Sequence, residues 1–551
     1  MSGSEGGLGR RFREAWYGSP LHSWRISGHA PDTLAVSVGD AWPGDSDAGR
    51  GILEGMFLVN GQSIQAGANP WTSDHLTPAT TLGLHRFDWL RDLRDLGGDA
   101  ARLRARDLVT AWLQSQKQWS RQAWRADILG TRLAAWIGTY AFFADSADDA
   151  FRAALLGSAA KQLRHLLHAL GSGPSGAGRF DALKGGVIAS VALSEPRDRL
   201  DSLLSRLDAT IRIQILPDGG HISRAPQLQV RVLAALVDIR SALRAGGQAT
   251  TPYLDDTIQR MTGVLRMLRH GDGGLALFNG AIEDGIWGTD ALMARTESKS
   301  KALTSTPQFG FERMAAGRMV LIADCGAPNS QDGFAHAGTL GFELSVGKQR
   351  LIVNCGSASA EPRWDGALRA SAAHSTLTID DTNSSEIRED GSVGRRPREV
   401  RTERWDADGA AWLEAEHDGY TALFGLSHRR RIYMAPGGDD VRGEDLLSYS
   451  GAPGDKPSFA VARFHLHPRI AASIVQNGSA VLIRTTTGAG WRFRASGGDL
   501  DLTDSVYFGQ GGQMQRTKQI TLTIALDDIR EAGSVSAKWA LRREDKRGGT
   551  A

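Results

Sequence analysis

The hydrophobic period of this chain changes once, and that change constrains its fold more than any motif does. Between His85 and His270 apolar residues recur at three- and four-residue spacing, as in Phe87-Leu90-Leu93, Leu163-Leu166-Leu167-Leu170, Leu200-Leu203-Leu204-Leu207 and Val232-Leu233-Leu236-Val237. Such spacing places the apolar side chains on one face of an α-helix. Turn clusters at Gly97-Gly98, Gly171 to Gly178, Leu216 to Gly220 and Gly246-Gly247 divide the region, and around eight paired helices of ordinary length fit there. After Thr306 the period becomes two. Strands are expected at Met319 to Asp324, Thr339 to Val346, Arg350 to Cys355, Ser375 to Asp380, Ala411 to His417, Ser427 to Met434, Ser458 to Leu466, Ala480 to Thr485, Gly490 to Arg494 and Gln519 to Ala525. Strands this frequent, broken by Gly-rich turns and without helices between them, imply a large antiparallel sandwich.

Residues 35–63 are mixed, with short strands expected at Ile52 to Val59, and the apolar-poor stretch Arg295 to Thr306 reads as a linker. The expected organisation is a mixed segment over 1–84 packing on the helices, a helical domain over 85–305 and an all-β domain over 306–545. A length of 551 residues supports this division, because one ordinary core does not grow that large. Hydrophobic and charged contents of 41% and 23% are those of a globular protein, and a net charge of +2 argues against a nucleic-acid coat or a strongly basic membrane patch. Cys325 and Cys355 both fall in strand-like segments. They could pair, and the plainer expectation is two small buried hydrophobes.

The Gly/Ser-rich start, Met1 to Gly9, runs into Arg10-Arg11-Phe12-Arg13 with no apolar signal region after it. No apolar run reaches the roughly 18 residues of a membrane span. The expectation is a cytoplasmic protein, with cell-envelope association left open.

One stretch raises a chemical question. In "GFAHAGTLGFELSVGKQRLIVNCG", Gly333 to Gly356, the residues Leu340, Phe342, Leu344 and Val346 alternate with polar or small neighbours, and Gly347-Lys348 turns into a second strand. His336 and Asn354 are therefore expected side by side at one end of a hairpin.

The order of the two halves, with this stretch, resembles the heparinase II/III-like family of polysaccharide lyases. The family pattern of His-x-His-Ala-Asp, a strand ending in Asp-x-Gly, and Arg-x-Ser/Thr-x-x-His-Asn-Thr is matched by "FAHAG", "VNCG" and "RASAAHST". The resemblance implies an N-terminal incomplete (α/α) toroid followed by a C-terminal antiparallel β-sandwich. It also implies a structural zinc, for which His336 and His374 match the family's ligands and Asn354 stands where the family has Asp. An amide oxygen is a poorer zinc ligand than a carboxylate. No organic cofactor is implied.

The family's activity is β-elimination on uronate-containing glycans. That reaction needs the uronate carboxylate neutralised, a base for the C5 proton and an acid for the departing oxygen. The resemblance places the helical-side groups in "LPDGGHISRAPQLQ", where Arg224 and Gln227 occupy the region of the family's Glu and Tyr, and Phe334 stands where relatives carry a catalytic His. The expected kit is His221 as base, Arg224 or Arg369 as carboxylate clamp and His374 or His336 as acid. Asp218, Asp272, Trp71 and Trp287 are the expected substrate contacts. The cleft is expected where the loop Pro217 to Arg224 faces His336 and His374. Plainer readings stand beside these: His221 caps a turn, Arg369 sits in an ion pair, and Trp89 and Trp136 are core. His465 and His467 share a strand face without an assignable third metal ligand, and the Gly-rich loop Arg269 to Gly285 carries acids that suit hydrolysis. The expected partner is an acidic polysaccharide or oligosaccharide, with no nucleic acid, no transmembrane segment, and a homodimer left open. The alternatives are a glycoside hydrolase on the same scaffold, or a non-catalytic glycan-binding or envelope-assembly protein.

Overall fold

The computed structural model describes residues 7–544 apart from 60, 68, 73–75, 173–175, 284–287, 330–332, 359–361 and 452–453. The chain forms two units, Met1–Gln214 with Arg231–Ile258, and Ile215–Val230 with Gln259–Ala551.

The first unit is helical. It opens with α1 (Gly7–Tyr17) and α2 (Pro20–Arg25). Ser19 caps α2 by accepting the His22 N–H at 3.2 Å, and Pro20 supplies a preset φ in the first turn. Helix α3 (Ser46–Leu53) follows, capped by the Asp45 carboxylate, which accepts from the N–H groups of Asp47 and Ala48. Ile52 and Leu53, expected in a strand, instead close this helix. The strand begins at Met56 and pairs antiparallel with Gln62–Gln65. The Asp45 cap was the signal that decides between the two.

The long helices that follow include Gly98–Ser115, Ala126–Gly138, Asp149–Ala169, Ala177–Ala192 and Arg197–Gln214. Ala126–Gly138 and Ala177–Ala192 meet backbone to backbone. A Cβ on Gly185 would lie 2.0 Å from the Gly130 carbonyl oxygen, so that pair tolerates glycine alone. An aromatic core of Phe87, Trp89, Trp112 and Trp136 fills the interior. Arg132 is fully buried with its guanidinium 4.3 Å above the Trp112 ring. It donates to Gln162 Oε1 and to the carbonyls of His85 and Ala123. The mixed N-terminal segment lies on these helices: Ala35 N donates to Ala192 O, Asp40 N to Gly138 O, and Trp42 Nε1 to the Asp238 carboxylate.

The second unit is dominated by antiparallel strands in two sheets of eight and nine. The first sheet runs, in spatial order, through Ala471–Val475, Ala480–Arg484, Gly490–Ser496, Ser534–Arg543, Asp440–Tyr449, Leu426–Met434, Ala410–Tyr420 and Val400–Ala407. The second runs through Asp499–Tyr507, Gln515–Ala525, Phe459–Leu466, Gln349–Val353, Phe342–Val346, Met319–Asp324, Phe311–Ala316 and Ser305–Thr306, with Leu377–Ile379 added beside Phe459–Leu466. Phe342 from one sheet stacks on Trp539 from the other at 5.5 Å, inside a core that also holds Phe464, Phe493, Leu413 and Ile432. The strand expected from Thr339 begins at Phe342, because Leu340 turns the chain with a φ of 61°. Both cysteines are buried and unpaired with each other. Among the described residues no helix is long and apolar enough to cross a membrane.

Candidate functional site

The loop 215–224 belongs to the same unit as the sandwich. It is closed by a bridge between Ile215 and His221 and by the Leu216 N–H on the Gly220 carbonyl. Gly219, at φ 94°, and Gly220 are required here. A Cβ on Gly220 would lie 2.3 Å from the Phe309 ring. The Asp218 carboxylate accepts from the backbone N–H groups of Gly220, Gln308 and Phe309, so it pins the loop.

His221 is buried. Its Nδ1 lies 2.7 Å from Ser223 Oγ and accepts the Ser223 N–H, and its own N–H donates to Gln229 Oε1. Burial pulls its pKa down to about 4, so the ring is neutral at neutral pH, with Nδ1 on Ser223 of the same loop. Arg224 is also buried. It donates to the carbonyls of Phe309 (2.8 Å), Ala327 (2.9 Å) and Gly310 (3.1 Å) and pairs with the Asp324 carboxylate. Its guanidinium is spent inside the fold.

The loop does meet the histidine cluster, through a residue the sequence reading did not single out. Asn279, with a φ of 47°, donates to the Arg224 carbonyl at 2.9 Å and accepts the His336 N–H at 3.1 Å. It lies in the Gly-rich loop Arg269 to Gly285, and Asn ahead of Gly280 is a local signal for a left-handed turn.

His336 Nδ1 lies 3.1 Å from His374 Nε2, and both rings are buried. Asn354 joins them by accepting the Ser375 N–H at 2.9 Å, while its own N–H donates to Glu343. Asn354 Nδ2 and His374 Nδ1 are buried with no hydrogen-bond partner. Burial, then the neighbouring His465, lowers the His374 pKa to about 3. These residues fit zinc poorly. Two imidazoles converge, but the third position is an amide whose oxygen already accepts from Ser375, and among the described residues no three His, Cys, Asp or Glu converge on a metal position.

The remaining expected residues separate. Arg369 clamps the Ala335 carbonyl through two N–H groups at 3.0 and 2.9 Å and reaches Gly391 O, holding the His336 loop. Asp272 pairs with Arg350. Trp71 stacks on His85 at 5.4 Å and donates to Leu108 O, within the helical unit. Trp287 lies outside the described residues. His465 and His467 diverge, one to Ser505 and Ala372 O, the other to Glu283. Glu283 also takes the Tyr507 hydroxyl and the Gln510 amide. Burial opposes its ionisation, but His467, Arg350 and Tyr507 outweigh that and hold it at about 2. Phe334, two residues before His336, is 43% exposed, an apolar ring presented to solvent.

A separate concavity of about 610 Å³ opens on the outer face of the eight-stranded sheet. It is lined by Trp412, Tyr433, Arg431, Arg442, Arg494 and Lys538, and Trp405 stacks on Trp412 at 5.7 Å. Glu444 lines it too and pairs with Arg431 at 3.9 Å and Lys538 at 3.7 Å, while Asp440 pairs with Arg442, so much of the positive charge of this face is already balanced.

A mainly helical unit, a two-sheet antiparallel sandwich and a His–Asn–His cluster at a strand end define a heparinase-like architecture. Residues 298–540 match the family model for the heparinase II/III-like C-terminal region. FtsZ-localized protein C of Caulobacter vibrioides is 32% identical over 96% of this chain and 94% of its own length. A crystal structure of heparinase III covers 98% of this chain and 92% of its own at a TM-score of 0.72 and 13% identity. The heparan sulfate lyase HepC from Pedobacter heparinus covers 98% and 88% at 0.63 and 15%. The chain belongs to the heparinase II/III-like family, with its α/α toroid and β-sandwich fold.

Proposed function

We propose that this chain is a non-cleaving member of the family that localises with FtsZ, as the name of its Caulobacter relative says of that protein. One observation carries the first half: the groups β-elimination would use are bonded inside the fold, while the place of the family's catalytic His presents Phe334. Burial pulls His221 down to about 4, which weakens it as a base for a sugar proton, and its Nδ1 is engaged by Ser223. The relative's full-length likeness supports the second half. The purified chain is expected to co-pellet with FtsZ polymers and to release no unsaturated uronate from heparan sulfate or alginate. Growing ultraviolet absorbance from either glycan would overturn the first half and install a lyase. Failure to pellet with FtsZ would overturn the second.

A second reading, glycan binding without cleavage, is favoured by the Trp405–Trp412 stack, of which Trp412 lines the concavity. Retardation in a heparan sulfate affinity gel, abolished by Trp412→Ala, would support it.

The histidine cluster is proposed to be a hydrogen-bonded remnant of the family's metal site. Purified protein is expected to carry no stoichiometric zinc. Asn354→Asp should raise zinc affinity by at least about tenfold, because a carboxylate replaces an engaged amide. Stoichiometric zinc in the unaltered protein, by elemental analysis, would refute the remnant.

A further inference from the structure

The exposed apolar side chains at the start of the described chain are not scattered. Phe12 (74%), Trp16, Leu21 and Trp24 (79%) all lie on α1 and α2 and face solvent. On α1, Phe12 and Trp16 stand four residues apart on one stripe with exposed Ala15, whereas Arg13, Glu14 and Tyr17 turn inward. Tyr17 packs against His22, Trp119 and His165 at ring distances of 5.0, 6.1 and 4.7 Å. The helix is inverted relative to an ordinary surface helix, with its polar side against the protein and its apolar stripe outward. Leu21 and Trp24 extend that stripe across α2, and the exposed Arg10, Arg11 and Arg25 flank it.

Beside the stripe opens a cavity of about 380 Å³ lined by Arg13, Trp16, Tyr17, His22, Arg25 and His168. None of these lining groups is acidic. His22 is 1% exposed and bonds through Nε2 to His165 Nδ1 at 2.9 Å. Its Nδ1 is buried without a partner. Burial, and after it the cations His168, Arg25 and Lys161 around His22 and Arg25 and Arg199 around His168, hold both rings below the ordinary histidine value.

We propose that α1 and α2 dock on an anionic phospholipid bilayer, the Phe12–Trp16–Leu21–Trp24 stripe entering the interface and the cationic cavity receiving a lipid phosphate. Aromatic rings beside arginines are the side chains that settle at a bilayer interface, and the long guanidinium arms reach phosphates while their stems stay apolar. The net charge of +2 does not register this cluster, because acidic residues elsewhere balance it. The inference does not depend on the FtsZ-localised reading, and its assay contains no FtsZ.

The full chain should co-sediment with vesicles of mixed phosphatidylcholine and phosphatidylglycerol, weakly with phosphatidylcholine alone, and less in high salt. Phe12→Ser with Trp24→Ser should lower the partition by at least about tenfold, since two large apolar groups lose their lipid contact. Both side chains are exposed, so circular dichroism and melting temperature should not move. Arg25→Glu should reduce binding to the anionic vesicles several-fold. Absence of the unaltered chain from both pellets overturns the proposal and leaves the stripe as a protein-docking face. Equal pelleting of the double variant overturns it too. Stabilisation by inorganic phosphate without vesicle binding would assign the cavity to a free anion and likewise sink it.

Discussion

Arg224→Ala should destabilise the protein by about 3–5 kcal/mol, the loss expected when one partner of a buried ion pair is removed. Against the 5–15 kcal/mol that separates folded from unfolded chains, that is a large fraction. The guanidinium satisfies three backbone carbonyls, those of Phe309, Gly310 and Ala327, and is the cation beside the buried Asp324 carboxylate. Burial drives the Asp324 pKa up and Arg224 opposes it. Without the arginine that carboxyl must take a proton or sit charged in the interior. The carbonyl of Arg224 also holds Asn279, and through it the His336 loop, so the damage should spread to the cluster. Denaturant unfolding at neutral pH checks this. Asp324→Asn combined with Arg224→Ala should cost less than the sum of the single changes, by up to about 3 kcal/mol. Phe334→Ala is the control, an exposed ring whose loss should stay within about 0.5 kcal/mol. If Arg224→Ala unfolds like the unaltered protein, the guanidinium is available to a ligand and the carboxylate-clamp reading returns.

Arg224 shows where sequence reading stops. An arginine and a histidine three residues apart in a Gly-containing loop are the right residue types for a uronate site, and the loop does reach the histidine cluster. What the sequence does not carry is direction. Gly326 leaves room for the guanidinium, since a Cβ there would lie 2.5 Å from it, and Asp324 waits at the end of a strand a hundred residues away. Long-range complementarity of that kind has no local spacing to betray it. The two periods, by contrast, were legible because each repeats over many residues and depends on burial alone. Among the strands not expected from the sequence, Val400–Ala407, Asp440–Tyr449, Asp499–Tyr507 and Ser534–Arg543 are half-solvated and rich in Asp, Glu, Arg and Ser, whereas Phe311–Ala316 is mostly buried and Ser305–Thr306 and Ala471–Val475 are short. In the half-solvated four, apolar residues face one sheet side with charges opposite, and charged alternation reads as loop when no partner strand is known. The His336–Asn354–His374 convergence was legible because three separated motifs resembled one family pattern. The exposed stripe of α1 and α2 was present in the sequence as a periodic pattern too, but periodicity does not say which face turns outward.

Acid should unfold this protein at an unusually mild pH. Burial holds His85 and His165 in the helical unit at about 3, and His221 and His465 in the sandwich unit at about 4, against an ordinary value of 6.5. His85 and His165 are held down further by Arg132 and by His22 with His168, and His465 by Arg463. The unfolded chain binds a proton on each of these rings as the pH falls through 6.5, whereas the folded chain does not until 4 or 3. Unfolded therefore carries more protons than folded across that window, and stability rises with pH and falls with acid. Each ring is worth about 1.4 kcal/mol per pH unit, so two rings cost the helical unit roughly 3 kcal/mol per pH unit once below 6, and the sandwich unit, where His374 is also held at about 3, loses roughly 4. Glu283, held at about 2 against 4.5, adds to the loss only below 4.5, where its unfolded form protonates first. Two pH units thus consume much of an ordinary stability, and the unfolding midpoint should lie between about pH 6 and 4. Denaturant titrations at successive pH values measure the proton uptake directly. His165→Gln should flatten the slope for the helical unit by about one proton while leaving the sandwich unit unchanged. A slope below one proton per unit between pH 6.5 and 5 would mean that these imidazoles are charged or solvated in the folded chain, and the closed site described for His221 would fall with them.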